Sequence, residues 1–506
     1  MKTALFYFLL LPLSLIAQIS SLQTIISTSG GIQAKSATEN AFGDIFIAGT
    51  LPGGLDDGDI VLIKMVNGNV SLTKQIPLPE VQNATDIAAF PNGDICIVGT
   101  NAQGVFASTD IILMRLDASL NILWTKILGS ADNDNINTID VLSGDRLRLS
   151  GSVSVNGILS PATLILDSTG NILSEKYLNV PNFASPNFSA YEMADGKLVM
   201  TGSNRLGQIC DSTGVLTSAI PGELAGQSVA ACSGANGNYV VAYSDNLGSP
   251  TGSSVVVASY VPGSFFTEWL NKYNTTNDEI AAGIFFHQNV FTLITVLTTS
   301  NGLQSIGITL LDSIGNQLSS KRVIPAGYDY INIYRCRQNS DGSVMVSGMI
   351  QNSSFLPNGF VMKISPEGEA GCNPPIFNFS VSANSAFPGS AVFNQSTTLM
   401  NVLSSPIATT LDTAFQVTVP CLVVSDETKI LKDQPMIYPN PGQGIFFIPG
   451  LQPASVAEVF DLHGRRIQTQ QSSEGRIDIQ DCMPGIYLIK YSDRQGKTQI
   501  HRVIVR

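Results

Sequence analysis

PNGDICIVGTNAQGVFASTDIILMRLDASLNILWTK, residues Pro91 to Lys126, is the clearest copy of a unit that recurs along the chain. It reads as a turn, a strand (ICIVGT), a loop, a second strand (IILMRLD), another turn and a third strand (ILWTK). In the first strand Ile95 and Ile97 alternate with Cys96 and Val98; in the second, Ile111 and Leu113 alternate with Ile112 and Met114. Successive side chains of a strand point to opposite faces, so both strands are apolar on two sides and need cover on both. Similar sheets stacked side by side supply that cover, and a stack that closes on itself is a ring of blades.

The same turn and strand return as GDIFIAGT from Gly43, GDRLRLSGS from Gly144, GKLVMTGS from Gly196, GNYVVAYS from Gly237, QNVFTLITV from Gln288 and GSVMVSGM from Gly342. Starts lie about 50 residues apart, with one shorter step between Gly196 and Gly237. Each copy continues into a second strand, and six of them then show a turn: KMVNGN, RLDASLN, ILDSTGN, ICDSTGV, LLDSIGN or KISPEGE. Gly or Asn after the Asp permits the positive φ of a tight hairpin, and the Asp side chain can accept from the backbone two residues on. Few charged residues, abundant Gly and no long amphipathic pattern fit an all-β chain of short strands.

Seven copies predict a seven-bladed β-propeller. The fifth copy lacks the Gly-Thr ending over Tyr239 to Ser244, and the sixth has Gln288-Asn289 in place of Asp-Gly, so six and eight blades are also compatible. An orphan strand, Leu22 to Thr28, resembles the third strands of later copies and is expected to complete the last blade and close the ring. Over about Gly30 to Glu369 the repeats resemble the propeller repeats of secreted bacterial proteins, with their Asp-Gly, strand, Gly-Thr and Lys-Leu-Asp elements.

Five segments follow from the composition. Residues 1–17 have one early Lys2, an apolar core interrupted by Pro12, and Ala17 before Gln18, which reads as a secretory signal peptide cleaved after Ala17. No later stretch is apolar and long enough for a transmembrane segment. Residues 18–370 hold the propeller repeats. Residues 371–425, rich in Pro, Ser, Thr and Asn, are bracketed by Cys372 and Cys421 and read as a small β element or a linker. Residues 426–434 form a polar hinge, and 435–506 alternate short strands with Gly, Pro and Asn turns, the pattern of a compact β-sandwich.

That last segment resembles the type A C-terminal sorting domain of type IX secretion substrates in the Bacteroidetes. The resemblance is carried by Tyr438, Pro439, Asn440 and Pro441, by Phe460 to Arg465 including Gly464, by Met483, Pro484, Gly485, Ile486 and Tyr487, and by the basic residues Lys497, Arg502 and Arg506. It implies a partner in the type IX machinery and export from the periplasm through the outer membrane. The domain is then removed, and the protein is released or attached to the outer cell surface.

In an oxidising compartment the seven cysteines can pair. Cys372 with Cys421 is the first candidate and Cys210 with Cys232 the second, whereas Cys96 and Cys336 read as small buried hydrophobes. The formal net charge of −12 argues against a nucleic-acid partner. His287, His463 and His501 are the only histidines, and His287, at the head of an apolar strand, reads as structural. No nucleophile elbow, zinc helix or phosphate loop occurs, so no catalytic residue or cofactor is expected.

Asp167, Asp211 and Asp312 loosely resemble sialidase-type Asp boxes but read as hairpin turns. Two acidic clusters, Asp56, Asp57 and Asp59, and Asp132 with Asp134, are weak candidates for Ca²⁺ against a reading as solvated loop tips. Trp124 and Trp269 should fill the gaps between blades, and Tyr328 and Tyr330 are the aromatics most open to a binding role. The sequence therefore reads as a secreted or surface-displayed binding or structural propeller for a glycan or protein ligand. The alternative is an extracellular propeller enzyme acting on polysaccharide, a lyase or glycosidase.

Overall fold

The computed structural model describes residues 19–52, 58–76, 81–102, 109–129, 132–155, 158–179, 189–201, 208–210, 216–219, 226–245, 253–262, 267–275, 278–325, 327–352, 356–370, 380–383, 394–396, 401–404, 411–412, 416–424, 445–447, 456–460, 466–471, 476–482, 485–492 and 498–505. They form strands joined by turns, with no helix among them. The chain divides into two compact units, Met1–Val424 and Ser425–Arg506.

Among the described residues the first unit contains seven antiparallel sheets. Their innermost strands are Gln33–Glu39, Val81–Ala89, Asp134–Leu142, Ser189–Glu192, Gly226–Ser233, Asp278–His287 and Tyr330–Gln338, which define blades 1 to 7. In blades 1 to 6 the chain then meanders outward through the next three strands, as in Ile95–Ala102, Thr109–Leu116 and Ile122–Gly129 of blade 2. Blade 7 takes its fourth strand from the other end of the chain: Ile19–Ser27 pairs with Pro357–Ile364, with Leu22 opposite Lys363 and Ile26 opposite Gly359. The orphan strand thus completes the last blade.

Residues that alternate along each second and third strand serve two different neighbours. Ile95, Ile97, Ile112 and Met114 of blade 2 pack with Ala48, Ile60 and Leu62 of blade 1. Cys96, Val98, Ile111 and Leu113 pack instead with Leu147, Leu149 and Leu164 of blade 3. Equivalent cores join blades 4 and 5, 5 and 6, and 6 and 7. The core between blades 7 and 1 holds Leu22 and Ile26 of the N-terminal strand against Ile45 and Ile63, so this strand seals the ring as well as the blade. Thr163 of blade 3 meets Met200 of blade 4, which links the remaining pair.

The repeated Lys or Arg of the third strand has a shared role. Lys64 pairs with Asp44 at 2.9 Å and donates to the Ala118 carbonyl of the next blade. Arg115 pairs with Asp94 at 2.8 Å and donates to the Ser168 carbonyl of the next blade. Lys363, fully buried, pairs with Glu39 of blade 1 at 2.6 Å. Each cation bolts a turn of its own blade to the following one.

Residues 371–425 differ from the expected small element or linker. Their described strands are dealt out one per blade along the outer rim: Ser380–Ala383 on blade 5, Asn394–Ser396 on blade 3, Asn401–Ser404 on blade 2, Leu411–Asp412 on blade 1 and Gln416–Val424 on blade 7. This strap runs backwards around the ring and adds a fifth strand to each of those sheets. The physical reason is edge pairing: the outermost strand of a blade leaves a row of backbone donors and acceptors open, and a polar, β-prone segment can satisfy them. Gln416–Val424 lies beside Ile19–Ser27, which is therefore paired on both sides.

Cys232 carries a free thiol, so the second candidate disulfide is not formed; Cys96 and Cys336 are free and buried. Cys372, the signal segment 1–17 and the hinge 426–434 lie outside the described residues. In the second unit, Arg466–Gln471, Val456–Phe460, Gly485–Ser492 and Thr498–Val505 form one sheet and Ile445–Phe447 pairs with Arg476–Asp478 in another. Phe446, Val459, Ile477, Ile489 and Val503 make a core across the two sheets.

Candidate functional site: the axial cavity

Six of the seven innermost strands break register at the same place: Ala34/Ser36, Ala84/Asp86, Ile136/Thr138, Ser228/Ala230, Ala281/Gly283 and Ile333/Arg335. A bulge inserts one residue and re-aims those that follow. Ser36, Asp86 and Arg335 accordingly meet at the axis. Asp86, fully buried, accepts from Ser36 Oγ at 2.5 Å and from the Ile87 and Ile139 amides at 2.9 and 3.0 Å. Arg337 of blade 7 reaches across the ring to Asp86 at 2.7 Å and to the Ile139 carbonyl at 2.7 Å, and Arg335 approaches Asp86 at 3.3 Å.

Two positions beyond the bulge stand Asp140, Cys232, Phe285 and Arg337, with Tyr191 at the matching register of blade 4. They line a cavity of about 470 Å³, together with Arg148, Glu192, Phe286, Arg335 and Gln338. Arg148 bridges Asp140 at 2.9 Å and Glu192 at 2.8 Å. Burial acts to raise the Asp140 carboxyl, but Arg148, Arg337 and Arg335 outweigh it and hold the group below the usual carboxylate range. Burial pushes the Tyr191 phenol up, opposed by the nearby Arg335. Burial also lifts the Cys336 thiol to about 12, so it stays protonated. At neutral pH the cavity presents arginine side chains, an ionised Asp140, a neutral Tyr191 phenol and aromatic walls.

The residues singled out from sequence fall elsewhere. His287 ends the innermost strand of blade 6, its ring packed where a side chain on Gly342 of the next blade would stand. Trp124 and Trp269 lie between blades, against Gly170 and Gly315 of the following hairpin turns. Asp167 and Asp312 organise those turns: each accepts from the amides two and four residues on, as Asp117 also does. Asp59 bonds Gln75, Asp132 is exposed and Asp134 is buried near the Ser154 amide. Among the described residues no group of three or more His, Cys, Asp or Glu is placed to hold a metal ion. Asp56, Asp57 and Asp211 lie outside them. Tyr330 is exposed and Tyr328 packs against the core between blades 6 and 7.

Of the sorting motif, Tyr487 packs on the core of the second unit and Gly485 opens its strand opposite Val505. Tyr438, Pro439, Asn440, Pro441, Gly464, Arg465, Pro484, Lys497 and Arg506 lie outside the described residues. Residues 436–506 match the family described as the secretion system C-terminal sorting domain. The protein is a secreted β-propeller with a type IX sorting tail. That tail directs the secreted propeller to the cell surface or the extracellular space by way of the secretion machinery.

No curated protein matches the chain. Among solved structures the secreted propeller is similar to virginiamycin B lyase from Staphylococcus aureus, with 11% identity over 69% of this chain and 100% of that one and a TM-score of 0.43. It is also similar to the GH93 α-L-arabinofuranosidase of Fusarium graminearum, with 9% identity, 69% and 99% coverage and a TM-score of 0.40. The WD40 β-propeller domain of Doa1 gives 10% identity, 68% and 96% coverage and a TM-score of 0.41.

Proposed function

We propose that the mature protein is an exported binding module whose ligand enters the axial cavity. One observation supports this reading most: side chains from five blades converge there in fixed positions. Asp140 and Arg148 come from blade 3, Tyr191 and Glu192 from blade 4, Cys232 from blade 5, Phe285 from blade 6, and Arg335 and Arg337 from blade 7. A concave site with aromatic walls and a few well-held polar groups suits recognition of a small ligand. Asp140 is held ionised by the arginines around it, which suits a fixed binding contact better than the protonated general acid that glycoside hydrolysis needs. Export is read as starting with cleavage of the signal peptide after Ala17 and passing through the periplasm, in a Bacteroidetes-like host.

The alternative, an extracellular enzyme acting on polysaccharide, draws on Tyr191: its phenol shares the cavity with Arg335, a pairing suited to proton transfer beside a stabilising cation. A glycan array run beside a hydrolysis and elimination screen separates the two. Binding without turnover is expected, and release of unsaturated or reducing-end products would establish the enzyme. For the export step, deletion of residues 437–506 should strand the protein in the periplasm, and unaltered surface export would refute it.

A further inference from the structure

We propose that the axial cavity selects an acidic sugar, docking its carboxylate on Arg335 between Arg148 and Arg337. The inference rests on the reading of that cavity as the ligand site and names the class of ligand. Its starting point is an imbalance beneath the cavity. Asp86 receives Ser36 Oγ, the Ile87 and Ile139 amides and an Arg337 nitrogen, all within 3.0 Å. A carboxylate has about four acceptor positions, so Arg335, standing at 3.3 Å from the same oxygen, is the surplus donor. Nε of Arg335 is buried without an acceptor, and so are Nε of Arg337 and of Arg148. A buried N–H that gives up water without gaining an acceptor is destabilising, and a ligand oxygen relieves it.

Charge placement bears on the same point. Three guanidinium groups line the cavity with two carboxylates, Asp140 and Glu192, and Asp86 below it carries the third negative charge. Arg148 is held by Asp140 and Glu192 and Arg337 stands nearest Asp86, at 2.7 Å, which leaves Arg335, with only 11% of its side chain exposed, as the least closely compensated cation in weakly screened surroundings. Planar, forked guanidinium donors match a carboxylate better than a point cation does. The remaining wall suits a sugar: Phe286 offers an apolar face, while Glu192 and the Gln338 carbonyl offer acceptors for hydroxyl groups. The volume of about 470 Å³ is of the scale of small-ligand pockets.

The test is isothermal titration of the mature full-length chain with trigalacturonate, its methyl ester and a sulfated neutral trisaccharide. The acid should bind at least about tenfold more tightly than the ester, as expected for a charge-assisted contact. Arg335→Gln should bring the acid down to the ester's affinity and leave the ester unchanged. Glu192→Gln, which frees one nitrogen of Arg148, should tighten the acid alone. Should Arg335→Gln not fold, Arg335→Lys takes its place: with the charge kept but the fork removed, the acid should weaken and still exceed the ester. Equal binding of acid and ester, or tighter binding of the sulfated sugar, overturns the carboxylate assignment. A neutral glycan bound in the cavity would do so too while leaving the ligand-site reading intact, whereas failure of every sugar in both titration and array removes both.

Discussion

Replacing Asp86 with Asn probes the ring through its axis. The side chain is fully buried and joins four blades: its own, Ser36 of blade 1, the Ile139 amide of blade 3 and Arg337 with Arg335 of blade 7. Asn keeps the shape but removes the charge, and its amide nitrogen faces donors. Breaking a buried ion pair from one side costs about 3–5 kcal/mol, because the partner charge stays buried without compensation. At about 2 cal/mol/K per residue, the unfolding entropy of a unit the size of Met1–Val424 is about 0.9 kcal/mol/K. A loss near 4 kcal/mol then lowers Tm by about 5 °C. Differential scanning calorimetry of wild type, Asp86→Asn, Arg337→Gln and the double variant reads this directly. The double variant should fall well short of the sum, since the two residues act as a pair. A single variant melting within a degree of wild type, or strict additivity, would show that Asp86 and Arg337 do not form a stabilising buried pair.

Other consequences are local. Gly315 has φ +82°, and a Cβ there would stand 2.7 Å from both Trp269 Cζ3 and Asn271 Nδ2; Gly315→Ala should cost about 1–3 kcal/mol in urea unfolding, and an unchanged midpoint would contradict the interblade packing of Trp269. The turn carboxylates have lowered pKa values. At Asp167, a small burial cost is outweighed by hydrogen bonds from Asn171 and Thr169, which bring it to about 2. Its stabilisation is complete above the unfolded value near 4 and is lost as pH falls towards 2. Asp167→Asn should therefore flatten the acid limb of the stability profile, and an unaltered limb would count against the turn. Ending the chain at Ala370 removes the strap and uncovers the outer strands of blades 1, 2, 3, 5 and 7. Light scattering should then show association, and a fully monomeric product would argue that the strap covers no vulnerable edge.

The architecture was legible because its cause is written locally and repeatedly. Ile95 to Val98 and Ile111 to Met114 are apolar on both faces, and the structure sends the two faces into two different interblade cores. The resemblance of LQTIIST to the other outer strands was enough to place it in blade 7. The strap was not legible, because short polar segments such as Asn394–Ser396 and Leu411–Asp412 carry no hydrophobic period and owe their conformation to the edges they meet. The axial site was missed for a related reason. Asp86, Asp140, Tyr191 and Arg335 are scattered through the sequence and no local motif joins them. One signal was present: Thr38, Ala88, Asp140 and Arg337 each precede the glycine of their repeat, at 49, 99, 151 and 348, by the same spacing. Aligning the copies on that glycine would have shown charged residues in a column that is otherwise small or apolar.

Closure of the ring by the N-terminal strand is tested most directly by covalent capture. Thr24 and Val361 are register partners across the seam, so a Thr24→Cys, Val361→Cys protein should oxidise to a single intramolecular cross-link, identified by non-reducing peptide mass spectrometry. Near-quantitative linkage is expected in the monomer, with a higher melting temperature that is lost on reduction. Thiols that stay free, or that link only between molecules, would contradict it.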